Sequence, residues 1–295
     1  MSMNGAYFND LDGAGQQSAL ANIPGSATTD YILSSLNVPR DTRADISYGW
    51  NPDRVLARDG KVTAETGKIL ISIVQAGVTK GQCHRAWLAI GGAATAPFKN
   101  IQAILDAGGT LKSTLLANFR AIVQAVKDAG AKDVGFDMDY EEEPRFLPLR
   151  TSNVTSALYN ELKCPVTFRP NEALAFGQSG WIVALRQVYA NLGNKTQAVV
   201  GCNVQTYGGG NGNVPMEWVD AIKNAKGTGV TDPAAFVWPV VSCDDTAGPV
   251  TPAAELAQKL KDWKSKGASL WAMQPLGQPP ADLKAYSAAI AQGIA

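Results

Sequence analysis

An alternation of strand-like and helix-like stretches along 295 residues predicts an α/β fold, a single (β/α)8 TIM barrel. Two observations carry this expectation. The strand-like runs number eight, so each strand-then-helix unit has about 37 residues, which suits a barrel of ordinary size. No Pro/Gly/Ser-rich linker or charge block interrupts the chain, so residues 1–295 are expected to form one domain.

Taken in order, Gly5–Asn9 reads as an opening strand that carries Tyr7 and ends in the turn Asp10-Leu11-Asp12-Gly13. Tyr31–Val38 is a second strand, stopped by Pro39. A long loop then carries Tyr48, Gly49 and Trp50, and Trp50 is either a binding platform or a staple of the loop. Glu65–Gly77 has the spacing of an amphipathic helix, and Ala86–Ile90 is a strand running into Gly91-Gly92.

The strongest helix spans Thr114–Gly130. Leu116, Phe119, Ile122, Val123 and Val126 recur at helical spacing, and Gly130 is a natural C-cap. A strand is therefore expected from Asp133. Further on, a helix around Val154–Leu162 leads to a strand at Pro165–Arg169, and Trp181–Leu192 is helical. Ala198–Tyr207 is an apolar strand entering the loop Gly208–Asn213. That loop lacks the Lys-Ser/Thr of a phosphate-binding loop and reads as flexible connection. Helices at Val214–Ala225, Thr251–Gly267 and Pro280–Ile294 alternate with strands at Ala235–Ser242, holding Trp238, and Ser269–Gln274, holding Trp271.

Charge and composition exclude several classes of function. Lys+Arg and Asp+Glu balance at 26 each, which argues against nucleic acid or an anionic membrane as partner and fits a neutral ligand. The start of the chain has no basic or apolar leader, and no apolar run reaches membrane-spanning length. The four cysteines lack metal spacing and the single histidine cannot build a zinc site, so buried free thiols and no metal are expected.

The chemistry concentrates in Asp133-Val134-Gly135-Phe136-Asp137-Met138-Asp139-Tyr140-Glu141. Successive strand residues alternate faces, so Asp137, Asp139 and Glu141 share one side. Such a row is ordinarily a solvated face. Here the strand lies between long helices, where strands are buried on both sides, and Gly135 and Tyr140 interrupt the opposite face. Three inward carboxyl groups repel one another and resist desolvation, which points to a functional row. Glu142 and Glu143, before the strand-breaking Pro144, are expected to face solvent.

This stretch resembles the D-G-x-D-x-D-x-E signature of glycoside hydrolase family eighteen, the chitinases and endo-β-N-acetylglucosaminidases, with Val134 preceding Gly135 and the spacing of the three acids intact. Ala89-Ile90-Gly91-Gly92 resembles the family's S-x-G-G, with alanine in place of the serine that supports the inner aspartate. Gln205-Thr206-Tyr207 resembles its Q-x-Y-N motif, with Gly208 replacing the last residue, and Trp271 resembles the tryptophan that floors the sugar site. The resemblance covers nearly the whole chain and leaves no room for an α+β insertion, implying a shallow, open groove.

What the resemblance implies is a retaining glycosidase that cleaves β-1,4 bonds next to N-acetylglucosamine, with chitin or its oligosaccharides as substrate and no cofactor. Glu141 would be the general acid/base, its charge disfavoured by the neighbouring carboxylates and partial burial. The substrate's own acetamido oxygen would attack. Asp139 would orient the acetamido N–H, Tyr207 would hold its carbonyl, and Asp137 would share a proton with Asp139. Gln205, Trp271, Tyr7, Gly92, Met273 and Trp50 form the expected substrate-binding set. Two alternatives stand beside this reading: an endo-β-N-acetylglucosaminidase acting on glycans or peptidoglycan, and a barrel that binds sugar or protein without catalysis. A monomer used outside the cell is expected, with a cytoplasmic form left open.

Overall fold

The computed structural model describes residues 2–9, 11, 13–39, 43–93, 95–171, 174–194, 197–243, 248–271 and 282–294, without the side chains of 174–179. The chain opens with β1 (Asn4–Asn9), α1 (Gly13–Asn22) and β2 (Asp30–Asn37). A short meander follows, β3 (Ile46–Tyr48), β4 (Val55–Arg58) and β5 (Lys61–Val62), and then α2 (Ala64–Lys80). Next come β6 (Arg85–Gly91), α3 (Pro97–Ala107), α4 (Gly109–Asp128) and β7 (Asp133–Asp139), the strand of the acids. The rest runs α5 (Leu147–Leu162), β8 (Val166–Phe168), α6 (Leu174–Asn191), β9 (Val199–Gln205), α7 (Pro215–Asn224), the single turn α8 (Pro233–Phe236), β10 (Val237–Ser242), α9 (Ala253–Asp262), β11 (Ala268–Trp271) and α10 (Leu283–Gly293).

Eight parallel strands close on themselves. The order is β1-β2-β6-β7-β8-β9-β10-β11, and β1 pairs with both β2 and β11. This is the (β/α)8 barrel that the alternation of elements predicts. The loop expected to carry Trp50 is instead the antiparallel meander, which adds to β2 through the pairs Leu36–Tyr48 and Asn37–Ser47. Three further elements lie outside the predicted set: α1, α3 and α8. Among the described residues no helix is long and apolar enough to cross a membrane. All four cysteines are buried, as expected.

Packing follows the alternation along each strand. Outward residues such as Phe8, Leu33, Leu88 and Phe136 join the helices' apolar faces, α4 contributing Leu115, Phe119, Ile122 and Val126. Inward residues fill the barrel, where Tyr7, Ile32, Trp87, Ala89, Tyr207, Trp238 and Val240 form their own cluster. Trp87 and Trp238 are accommodated by glycines on the adjoining strands. A Cβ at Gly135 would lie 2.4 Å from the Trp87 ring, and one at Gly201 would lie 2.1 Å from the Trp238 ring. Gly135, read from the sequence as interrupting the face opposite the acids, instead shares their inward face and is emptied for an indole. With the two indoles packed beneath, the layers nearer the C-terminal ends of the strands are free for polar side chains.

Candidate active site

The C-terminal ends of barrel strands form one mouth. Alternation brings Asp137 and Asp139 inward from β7, and partners arrive from β1, β8, β9 and β11. Asp137 is fully buried and accepts three hydrogen bonds: Tyr7 Oη at 2.7 Å on Oδ2, and Thr167 Oγ1 at 2.5 Å with Asn203 Nδ2 at 2.9 Å on Oδ1. A buried carboxylate is retained only when its oxygens are supplied with donors, and these three supply them. Ala89 faces Asp137 across the β6–β7 ladder, so the serine absent from the motif is replaced by donors from other strands. Tyr7, expected as a substrate contact, is bonded to Asp137 and buried.

Among the described residues no hydrogen bond joins Asp139 to Asp137, whose oxygens take the three donors above. Asp139 Oδ2 accepts from Arg169, which follows β8. Its Oδ1 is buried and meets no donor. Burial pushes the Asp139 carboxyl well above the usual range. The Arg169 guanidinium opposes that shift, and the charges of Glu141 and Asp137 add to it. The strand stops at Asp139, so Glu141 lies just beyond it, half-buried.

Asp139 is held from behind by the glycine pair. Gly92 N–H donates to the Asp139 carbonyl at 2.9 Å, and a Cβ at Gly91 would lie 2.0 Å from that same oxygen. Both glycines have φ near +110° (110° and 107°), which other residues rarely adopt. Gly92 therefore supports the acid through its backbone.

Arg169 is the residue that reading the sequence for sites overlooks. Only 1% exposed, it bonds Asp139, donates to Tyr207 Oη at 2.6 Å and reaches Gln205 Oε1 at 3.4 Å. Its guanidinium carbon lies 4.2 Å from the centre of the Trp271 ring and 4.5 Å from that of Tyr7. Burial alone would lower its pKa, but Asp139 and the two phenols prevail and raise it. Burial likewise raises Tyr207, against the pull of Arg169. The signal was available: strand alternation from Thr167 places Arg169 inward.

Tyr207 stacks on Trp271 at 5.8 Å and 18°, and Tyr7 meets the same ring edge-on at 5.3 Å. Gln205 Nε2 donates to the Tyr207 carbonyl at 3.0 Å, and Asn213 returns from the glycine loop to bond the Gln205 carbonyl at 2.8 Å. The glycine loop is therefore partly a brace for Gln205. Tyr207 is 2% exposed and Asp139 1%, so these groups sit in a closed centre, and the expected open groove is corrected to that extent. Trp50, by contrast, is 48% exposed, where the meander returns along the end of β2. Met273 lies outside the described residues. Glu142 corrects another expectation: it is turned in, accepting from the Phe98 and Lys99 backbone N–H groups that open α3 and from Arg150 at 2.9 Å. Glu143 is exposed, as expected.

Fold and site together define a (β/α)8 barrel with a buried carboxyl pair and aromatic walls at its C-terminal mouth. No family model matches the sequence, and no curated protein matches it. Solved structures share the fold over nearly their full length. A GH18 chitinase from Pseudoalteromonas aurantia is 16% identical with a TM-score of 0.62, covering 98% of this chain and 99% of that one. The chitinase-like agglutinin of Robinia pseudoacacia is 10% identical with a TM-score of 0.60, over 98% and 99%. A GH18 chitinase from Cycas revoluta, solved in complex with (GlcNAc)3, is 10% identical with a TM-score of 0.58, over 98% of each. The chain thus has the fold of the chitinases and chitinase-like proteins.

Proposed function

We propose that this protein is a secreted, monomeric glycosidase that hydrolyses β-1,4 bonds next to N-acetylglucosamine, with chitin oligosaccharides as substrate. The observation that carries the proposal is the carboxyl pair Asp139 and Glu141 at the barrel mouth, with buried Asp139 and the Tyr207 hydroxyl held on one guanidinium. Glycoside cleavage needs a proton for the leaving oxygen and a nucleophile at C1. Glu141, the more exposed member of the pair, gives its proton to the glycosidic oxygen as that bond to C1 breaks. The substrate's acetamido oxygen forms a bond to C1 from the other face and closes a cationic oxazolinium ring. Asp139 accepts the ring N–H, and Tyr207 turns its hydroxyl proton to the acetamido oxygen. Water then attacks C1, Glu141 takes back a proton, and the anomeric configuration is retained.

A specific observation favours a second reading. Arg169 balances the charge of Asp139 and covers a face of Trp271, an arrangement that suits a barrel binding sugar without turnover. Incubation with chitotetraose and, separately, with a high-mannose glycopeptide tests both. Cleavage of chitotetraose supports the proposal, and cleavage of the glycopeptide alone indicates an endo-β-N-acetylglucosaminidase. Binding without cleavage of either establishes the second reading. Chitosan lacking all acetyl groups should remain intact, and its cleavage would refute substrate assistance.

A further inference from the structure

Arg169 touches both groups that the proposed function assigns to the acetamido group, Asp139 and Tyr207, and the Trp271 ring expected to floor the sugar site. It donates to Asp139 Oδ2, donates to Tyr207 Oη at 2.6 Å, and places its guanidinium carbon over the Trp271 ring, 4.2 Å from the ring centre. A guanidinium is planar, cationic and rich in N–H donors. The oxazolinium ring is also planar and cationic, and it carries one N–H. We propose that Arg169 is the resting ligand of the acetamido subsite, a guanidinium occupying the place of that ring, and that substrate binds by displacing it. The inference rests on the reading of this site as one for N-acetylglucosamine.

Two further features fit a displaceable ligand. Arg169 Nε–H is buried without an acceptor, so the pocket satisfies the guanidinium only in part. Asp139 Oδ1 is likewise buried without a donor, an acceptor left over beside the Arg169 contact. The exchange also sets an order of ligands. A neutral acetamido group replaces a cation next to a carboxyl pair and binds weakly, while the cyclised cation replaces like with like. The pocket thereby favours the intermediate over the ground state.

The test uses Arg169→Ala, with Arg169→Met, which keeps the apolar stem, if the alanine variant unfolds. Guanidinium chloride and its neutral isostere urea are each added at millimolar concentration, and thermal stability and tryptophan fluorescence are read. Guanidinium should bind the variant at least about tenfold more tightly than urea, because its charge pairs with Asp139. Adding Asp139→Asn should abolish that preference. Chitotriose should compete with guanidinium and bind the variant at least about tenfold more tightly than it binds the wild type. Equal binding of urea and guanidinium overturns the proposal. So does chitotriose that binds the two proteins equally or without competition, a result that leaves the N-acetylglucosamine reading standing. Chitotriose that binds neither protein overturns both.

Discussion

Thr167→Val is the sharpest probe of the acid centre. The change preserves shape and deletes the hydroxyl that donates to Asp137 at 2.5 Å, leaving Tyr7 and Asn203 as donors to a carboxylate with no solvent contact. A hydrogen bond to a charged group contributes about 1.5–3 kcal/mol, and no water replaces this one. At about 2 °C per kcal/mol for a chain of this size, Tm should fall by about 3–6 °C. The same structure predicts the rescue. Ala89 stands opposite Asp137 in register, so Ala89→Ser offers a hydroxyl from the neighbouring strand. Alone it should move Tm little, because Asp137 already has three donors. Combined with Thr167→Val it should recover at least half of the loss. Thermal unfolding followed by circular dichroism on the four proteins gives the full cycle. An unchanged Tm in Thr167→Val would refute the account of Asp137 as a charge held by three donors. Additive behaviour in the double variant, with Ala89→Ser harmless by itself, would refute the equivalence of the two hydroxyls.

Three other outcomes follow from the site. Glu141→Gln should lower kcat on chitotetraose by about 10²–10⁴ while calorimetric affinity for the oligosaccharide stays within a few-fold. Asp139→Asn should lower kcat with little rise in KM. Removing a negative charge from beside Glu141 favours its ionised form, so the alkaline limb of the pH–rate profile should move down; an unmoved limb would make Asp139 a binding group only. Glu142→Ala leaves Arg150 and the first N–H groups of α3 without their acceptor, and on the scale of a broken buried pair, about 3–5 kcal/mol, Tm should drop by about 6–10 °C.

The barrel was legible because its strands carry period-2 patterns or continuous apolar runs between helical ones, and each of the eight was placed within a few residues. What escaped did so for physical reasons. In α1 only Ala19 is buried, so its sequence carries almost no apolar stripe. The strands of the meander have two to four residues, too few to show a period. α3 did have a stripe, Phe98, Ile101 and Ile104, but it follows a glycine pair that reads as a turn. Within the site, the acid row was visible because its members stand at alternate positions along one strand and just past its end. The cradle of Asp137 was not, since Tyr7, Thr167 and Asn203 lie on three strands that meet it only once the barrel closes. Glu142 was taken for a surface acid because its partners, Arg150 and the start of α3, are contacts that only the folded chain creates.

The departures from the family pattern do not weigh alike. The loss at Ala89 is made good by donors already in place, so it says little about activity. Arg169, by contrast, holds a fixed positive charge where the proposed cleavage would develop another. At about 5 Å and an effective dielectric of 20, that repulsion is about 3 kcal/mol, similar to the attraction that Asp139 offers in return. With the guanidinium in place the two cancel, and about a hundredfold of rate is forgone. With Arg169 displaced, Asp139 acts on the developing cation alone and the loss is recovered. Whether this barrel turns sugar over or merely holds it therefore depends on one exchange. That exchange has a signature which the carboxyl row by itself lacks: a thiazoline mimic of the cyclised ring should bind the wild type far more tightly than chitotriose does, and the gap should narrow in Arg169→Ala because the neutral sugar gains most from an empty pocket. Equal gains for both ligands would mean that the guanidinium is a structural pair and that the site works, if it works, with Arg169 in place.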